Sequence, residues 1–149
     1  MKYLLILALM FPCDAVGKSI HLPNKATLKH IYNAAKRYHL NVQDMLKIAF
    51  LESSFNSEAR RVNKNNTIDY GLFQINSVHW STTCKEYDIF SVKGNSLCAA
   101  KLLAGFKRDA DIDEHWIGKY HSKTKSKKIA YANKIAVLNI EDVYFGITE

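Results

Sequence analysis

Proline and glycine are scarce in this chain, which has two prolines and six glycines among 149 residues. So few chain-breaking residues argue against a collagen-like segment, a flexible linker or a disordered low-complexity chain. Acidic residues are also outnumbered, 14 against 21 Lys and Arg, which gives a formal net charge of +7. A basic surface suits a polyanion such as nucleic acid, anionic lipid or an anionic wall polymer, and charge alone does not distinguish these. The length predicts one globular domain with a real core.

Several nucleotide and metal motifs are missing. The chain has no Walker loop, no Gly-rich dinucleotide turn and no aromatic–basic pattern of an RNA-binding sheet. Its six histidines show neither HExxH nor paired ligand spacing, so we expect no metal and no cofactor. The lysine-rich run Lys123 to Lys128 is typical of a solvated helix start, with contact to anionic wall or lipid as the alternative. We expect no nucleic-acid partner, peripheral membrane contact at most, and a monomer.

The first 17 residues have the features of a signal peptide. A positively charged start is followed by an apolar run from Tyr3 to Phe11 and by the small residues Ala15-Val16-Gly17. The run is too short to span a bilayer. The alternatives are a buried N-terminal helix and a lipoprotein modified at Cys13, for which Phe11-Pro12 is a poor context. We therefore predict export to the periplasm with removal of residues 1–17.

Export leaves Cys84 and Cys98 as the cysteines of the mature chain. An even pair in an oxidising compartment predicts a disulfide that closes a loop of moderate size. The alternative is two free thiols, with Cys98 as a small core residue beside Ala99 and Ala100. The sequence leaves both open because a disulfide depends on geometry.

Apolar spacing predicts a mainly α domain. Asn41 can cap the second helix, which runs through an apolar stretch to Glu52. Residues 56–69 are polar and predict a loop or a small irregular hairpin. The predicted helices cover residues 26–39, 41–52, 95–106, 111–120 and 124–138.

Glu52 is the candidate catalytic residue. It ends the most apolar helix, one turn after Ile48 and Ala49. Desolvation and the partial negative charge of a helix C-terminus both favour its protonated form. A carboxylic acid that keeps its proton near neutral pH is what protonation of a glycosidic oxygen requires. On position alone, a surface glutamate at a helix end is the simpler interpretation.

Two motifs change that interpretation. The segment Glu52-Ser53-Ser54-Phe55-Asn56, then Asp69-Tyr70-Gly71-Leu72-Phe73-Gln74-Ile75-Asn76-Ser77, resembles the lysozyme superfamily and within it the bacterial lytic transglycosylases. In that family a Glu-Ser pair ends the catalytic helix, and a Gly-Leu-(Met or Phe)-Gln motif follows at the spacing found here, 22 residues from Glu52 to Gln74. The resemblance covers roughly residues 25–138. It implies a mainly α, lysozyme-like (α+β) single domain over residues 18–138, with a short β-like loop region and a C-terminal tail, 139–149.

The C-terminal half separates two branches of the superfamily. The same block resembles animal c-type lysozymes, with Asp69 at the place of their second carboxylate, but those enzymes contain more disulfides than two cysteines can form. Trp116-Ile117-Gly118-Lys119-Tyr120-His121-Ser122 resembles a transglycosylase motif whose tyrosine contacts the sugar. Tyr131 matches another family tyrosine on the last helix. The commoner motif is Tyr-Asn-Ala-Gly, so the role of His121 stays open.

The resemblance implies a peptidoglycan lytic transglycosylase. Glu52 protonates the bond between N-acetylmuramic acid and N-acetylglucosamine, then accepts the proton of the C6 hydroxyl as a 1,6-anhydro ring closes. Tyr120 is expected to hold Glu52 or the acetamido group. Gln74 and Asn76 offer amides to the sugar or, alternatively, fix the loop internally. The implied substrate-binding residues are Ser53, Asp69, Phe73, Gln74, Asn76, Tyr120 and Tyr131, with Phe73 giving an apolar face to a sugar ring.

Asp69 decides between this activity and its alternatives. Facing Glu52, it would permit lysozyme-type hydrolysis; otherwise it holds the loop by accepting backbone amides. A third alternative is a catalytically weak wall-binding or assembly factor that keeps the fold. The resemblance to small specialised transglycosylases implies local opening of the wall for type IV or type III secretion or for conjugation. A partner in that machine would contact residues 139–149.

Overall fold

Four α-helices and a three-stranded antiparallel sheet form the part of the chain that the computed structural model describes, residues 22–109 and 113–141. The helices are α1 (Lys25–Arg37), α2 (Val42–Ser53), α3 (Val92–Arg108) and α4 (Lys125–Val137). The strands are β1 (Arg60–Val62), β2 (Ile68–Tyr70) and β3 (Ile75–Asn76), and 3-10 helices cover Ser77–His79 and Trp116–Tyr120. This architecture confirms the predicted fold class. The predicted signal peptide, 1–17, and residues 142–149 of the predicted tail lie outside the described residues.

Side-chain caps explain where the first two helices begin. The Asn24 side chain accepts a hydrogen bond from the Thr27 amide at 2.9 Å, ahead of α1. The Asn41 side chain accepts from the Gln43 amide at 2.7 Å, so the predicted cap of α2 is confirmed. Each cap supplies an acceptor to an amide that has no partner within its own helix.

The third helix begins earlier than predicted. α3 starts at Val92 because the Ser91 hydroxyl caps it, accepting from the Gly94 amide at 3.0 Å. Asn95, the predicted opening residue, therefore lies inside the helix, where it is buried at 1% exposure. Its polar side chain serves a neighbouring loop instead of the helix start.

The helix predicted over residues 111–120 is also different. Within the described residues 113–120, helical structure is limited to the 3-10 segment Trp116–Tyr120. Gly118 explains the tight geometry, because a Cβ added there would lie 2.0 Å from the carbonyl oxygen of Lys128 in α4. This backbone contact holds the 3-10 segment against α4, whose ends agree with the predicted 124–138 to within one residue.

The core lies between α1, α2 and α3. Ile31, Ile48 and Leu103, one from each helix, are at most 2% exposed. Because α2 packs here along its length, its last turn is held rigidly where the chain leaves the core. Among the described residues, no helix combines the length and the apolar character needed to cross a membrane.

A disulfide joins Cys84 to Cys98, with their Cα atoms 5.3 Å apart. Of the two alternatives that the sequence left open, the predicted disulfide is thus confirmed. Both cysteines are fully buried. The bond ties the segment that follows the sheet to α3, and such a crosslink typically stabilises a fold by about 2–4 kcal/mol.

A row of polar residues crosses the sheet. Arg61 on β1 pairs with Asp69 on β2, which pairs with Asn76 on β3. Directly opposed residues of neighbouring strands point to the same face. The hairpin of β1 and β2 occupies most of the region predicted as a loop or small irregular hairpin, and it brings these three side chains together.

Candidate active site

The end of α2 fixes the position of Glu52. The helix stops after Ser53 because the next two residues have left-handed backbone, with φ of 52° and 61°. The Ser53 hydroxyl donates to the Leu72 carbonyl at 2.8 Å and is 4% exposed. Ser53, predicted to bind substrate, therefore lies behind the cleft and joins α2 to the following loop.

The Glu52 carboxyl has one close hydrogen-bond donor among the described residues. The Tyr131 hydroxyl, on α4, donates to Glu52 Oε1 at 2.6 Å. Burial raises the pKa of Glu52 above its ordinary value, as its place at the end of an apolar helix predicts. The Tyr131 hydrogen bond and the nearby His121 and Arg61 act in the opposite direction on this pKa without cancelling the effect of burial. Burial therefore favours the protonated form of Glu52, and the Tyr131 hydrogen bond stabilises its carboxylate.

The two predicted tyrosines have different partners. The Tyr120 hydroxyl donates to the Phe73 carbonyl at 2.7 Å, so Tyr131, not Tyr120, holds Glu52. Burial raises the pKa of Tyr120 well above its ordinary value, and burial with the Glu52 charge does the same for the pKa of Tyr131. Both hydroxyls therefore stay protonated and act as donors.

Asp69 is surrounded by donors. Its Oδ2 accepts from Arg61 at 2.7 and 3.1 Å and from Asn63 Nδ2 at 3.0 Å. Its Oδ1 accepts from Asn76 Nδ2 at 2.7 Å, and the residue is 5% exposed. Backbone amides were the predicted donors to Asp69, whereas the observed donors are side chains. Its carboxylate is fully engaged in this network.

The Gly71–Gln74 turn is locked onto α3 by Asn95. Gly71 has φ of +80°, and a Cβ added there would lie 2.5 Å from Asn95 Nδ2. Asn95 Oδ1 accepts from the Phe73 amide at 2.9 Å, and Asn95 Nδ2 donates to the Tyr70 carbonyl at 3.0 Å. Sequence reasoning missed this role of Asn95. The available signal was an amide side chain on the helical face that also carries Cys98 and other core residues.

The motif side chains mostly bond within the protein. Phe73 is fully buried, so the predicted apolar face for a sugar ring is wrong for this structure: the side chain packs into the core. Gln74 Nε2 donates to the Ala59 and Gly71 carbonyls, each at 3.0 Å. Asn76 donates to Asp69 and accepts from the Val78 amide at 3.1 Å. The observed contacts of Gln74 and Asn76 thus correspond to the alternative in which their amides hydrogen-bond within the protein and fix the loop.

A cleft of about 320 Å³ opens beside Glu52. Tyr120 and His121 lie at the same cleft. One side, here called the amide wall, consists of neutral polar residues from the sheet region: Asn63, Asn65, Thr67, Gln74 and Asn76. Of the residues predicted for the site, Glu52, Asp69, Gln74, Asn76 and Tyr120 line this cleft. Ser53 and Phe73 lie behind it.

A second groove, of about 430 Å³, is also lined by Glu52. Its lining, here called the cationic groove, includes Arg61, His121, Lys127, Tyr131 and Lys134. Glu52, Arg61 and His121 line both spaces, so the two adjoin one another at these side chains. Within residues 22–109 and 113–141, no three His, Cys, Asp or Glu side chains are grouped as metal ligands would be.

Comparison with known proteins identifies relatives of two kinds. The family model "Transglycosylase SLT domain" matches residues 29–133. Protein IpgF of Shigella flexneri is 33% identical over 117 residues, which is 74% of each chain. Lysozyme-like protein 6 of Homo sapiens is 40% identical over 67 residues, and Lysozyme C of Penaeus merguiensis is 47% identical over 47 residues. The matches span 45% and 30% of those two lysozyme relatives. No solved structure matches the chain significantly.

Proposed function

The chain belongs to the transglycosylase SLT domain family, and on that premise we propose that it is a peptidoglycan lytic transglycosylase. The proposed reaction cleaves the β-1,4 bond between N-acetylmuramic acid and N-acetylglucosamine and leaves 1,6-anhydromuramic ends. One observation carries the proposal, namely that Glu52 has a raised pKa and a single close donor whereas Asp69 is saturated by side-chain donors.

Glu52 acts first as the acid. Burial raises the pKa of Glu52 above its ordinary value, which favours the protonated form that an acid needs. This proton passes to the glycosidic oxygen as the bond to C1 of the muramoyl sugar breaks, and N-acetylglucosamine leaves with a hydroxyl group. The positive charge that develops at C1 is stabilised by the muramoyl acetamido oxygen.

Glu52 acts next as the base. Its carboxylate accepts the proton of the C6 hydroxyl of the same muramoyl sugar, and that oxygen attacks C1 to close the anhydro ring. Tyr131 donates a hydrogen bond to the carboxylate between the two steps and stabilises its charge. The proton balance closes on Glu52, so neither water nor a protein nucleophile is consumed.

The engagement of Asp69 favours this reaction over hydrolysis. A nucleophilic or ion-pairing carboxylate needs a free oxygen towards the sugar. In Asp69 the two oxygens accept from Arg61, Asn63 and Asn76. The local similarity to lysozymes supports a hydrolytic muramidase using Glu52 and Asp69 as the second candidate. A wall-binding factor without activity is the third.

Digestion of purified peptidoglycan separates the three candidates. Mass spectrometry of the products should show 1,6-anhydro ends, which are one water lighter than reducing ends. Glu52→Gln should abolish them, whereas Glu114→Gln, at a glutamate whose side chain is 85% exposed, should leave them unchanged. Reducing ends alone would establish hydrolysis. If the wild type releases no soluble product, the wall-binding factor without activity is the candidate that remains.

The proposed location is the periplasm, where the enzyme would open the wall locally for a secretion or conjugation apparatus. The buried Cys84–Cys98 disulfide supports an oxidising compartment. The signal-peptide pattern of residues 1–17 supports export. N-terminal sequencing of the protein from a periplasmic fraction tests this proposal: a mature chain that starts near Lys18 is expected, and a full-length cytoplasmic chain would contradict it.

A further inference from the structure

The cationic groove is arranged around Glu52 by one face of α4. Lys127, Ala130, Tyr131 and Lys134 follow one another at the spacings of adjacent turns. Tyr131 reaches Glu52, so one lysine lies about a turn before this contact and the other about a turn after it. The small Ala130 leaves the surface between them open. The two ammonium groups therefore flank the reacting centre on the α4 side.

These two lysines have no ion-pair partner among the described residues. The neighbouring Lys128 and Lys119 differ, because both pair with Asp113, at 2.7 and 3.6 Å. Lys127 and Lys134 are exposed, and the acidic residue that lines their groove is Glu52. Within residues 22–109 and 113–141, their ammonium groups line the groove without a salt bridge, and Glu52 is the acidic side chain that shares it.

The amide wall of the adjoining cleft has a different chemistry. It consists of neutral amide and hydroxyl side chains, and those of their polar atoms that are not bonded within the protein suit sugar hydroxyl and acetamido groups. The substrate of the proposed reaction is asymmetric in the same sense. N-acetylglucosamine is neutral, whereas the muramoyl sugar carries a lactyl-linked peptide stem with free carboxylates.

Building on the proposed function, we propose that Lys127 and Lys134 bind carboxylates of the peptide stem of the muramoyl sugar. The amide wall then receives the uncharged part of the strand. Charge complementarity and the three side chains that the two grooves share, Glu52 among them, carry this assignment. The enzyme thereby prefers strands whose stems carry free carboxylates and aligns the strand in one direction.

The test compares two substrates that differ only in stem charge. One is a soluble peptidoglycan oligomer with free stem carboxylates, and the other is the same oligomer with those carboxylates converted to methylamides. The wild type should use the free form with kcat/KM higher by about tenfold, mainly through KM, as expected for two exposed ion pairs. The preference should shrink as salt is raised.

A matched pair of double variants locates the effect. Lys127→Gln/Lys134→Gln should lose the preference while still producing anhydro ends from both substrates. Lys93→Gln/Lys125→Gln, which removes the same charge from exposed lysines outside the groove, should retain it. A wild type that uses both substrates equally, or a Lys127/Lys134 variant that keeps the preference, overturns the inference.

The outcomes also separate this inference from the proposed function. If anhydro products form equally from both substrates, the proposed transglycosylase function stands and only the proposed contact with the peptide stem is contradicted. Absence of anhydro products from both substrates removes the proposed function itself. Binding to anionic vesicles that depends on Lys127 and Lys134, without a substrate preference, would assign the groove to lipid and overturn the stem contact.

Discussion

The two carboxyl groups of the cleft, Glu52 and Asp69, are held by different elements and in different surroundings. Glu52 leaves a rigid helix and meets one tyrosine hydroxyl, and burial raises its pKa. Asp69 lies in the middle of a strand and accepts from one guanidinium and two amide side chains. Donors stabilise the charged form of a carboxyl group, and burial without donors favours the neutral form.

Under the proposed function, this difference separates a group that carries a proton, Glu52, from a structural anion, Asp69. A carboxyl that exchanges a proton during each reaction needs an environment that tolerates both states. A carboxylate with four hydrogen bonds is stabilised strongly in one state only. The sheet region thus gives shape to the cleft, and the end of α2 supplies its chemistry.

The largest expected effect is on catalysis by Glu52. Glu52→Gln removes the acid and the base together, so kcat should fall by at least about 10²–10⁴-fold. Asp69→Asn should reduce kcat far less. Turbidity loss of a peptidoglycan suspension measures both rates. Equal losses of kcat in the two variants would show that Asp69 also takes part in the reaction and would contradict the distinction between the two carboxyl groups.

The next effect concerns the stability contributed by Asp69. Asp69→Asn puts an amide NH₂ at a buried position where an oxygen accepts, so a donor of Arg61, Asn63 or Asn76 loses its partner. The free energy of unfolding should fall by about 1–3 kcal/mol in urea titrations. An unchanged unfolding midpoint would mean that the network does not stabilise the sheet.

Tyr131→Phe tests the single donor of Glu52. The Tyr131 hydrogen bond lowers the Glu52 pKa, so its removal should raise that pKa and move the alkaline limb of the kcat–pH profile to higher pH. Maximal kcat should fall by about tenfold because the intermediate carboxylate loses a donor. Tyr32→Phe, at a half-exposed tyrosine of α1, is the control. A limb that moves to lower pH would show that Tyr131 does not stabilise the charged form.

The smallest effect is a stability gain in the inactive variant. The folded pKa of Glu52 lies above its unfolded value, so its favourable contribution is present at low pH and is lost as pH rises through the folded pKa. Glu52→Gln has no charge to bury, so its free energy of unfolding should exceed that of the wild type at pH 8. At pH 4 or below the two should agree within error, as urea titrations at each pH would show.

Local patterns predicted much of the frame. Apolar spacing and a capping Asn41 placed α2 and therefore Glu52 at its end. The 3-10 segment at Gly118 was not predictable, because it depends on backbone contact with Lys128 ten residues later. Ser91 was the overlooked cap that moved the start of α3.

Contacts across the chain account for the errors at the site. Gln74 has φ of 48°, and in such a turn the alternation of side chains no longer tells which of its neighbours faces the cleft. Phe73 consequently points into the core. The resemblance identified Tyr131 as a site residue, but its contact with Glu52 joins residues 79 positions apart and could be seen only in the folded structure.

That same contact ties activity to the order in which the chain is synthesised. α2 emerges from the ribosome long before α4, so Glu52 exists in the growing chain without its hydrogen-bond donor. The Glu52 carboxyl group contacts Tyr131 only after α4 has been made and has packed against the rest of the fold. The α4 side of the cationic groove forms at the same point. An interrupted chain keeps the catalytic glutamate but lacks one wall of its site. The proposed activity therefore requires a chain whose synthesis has passed α4.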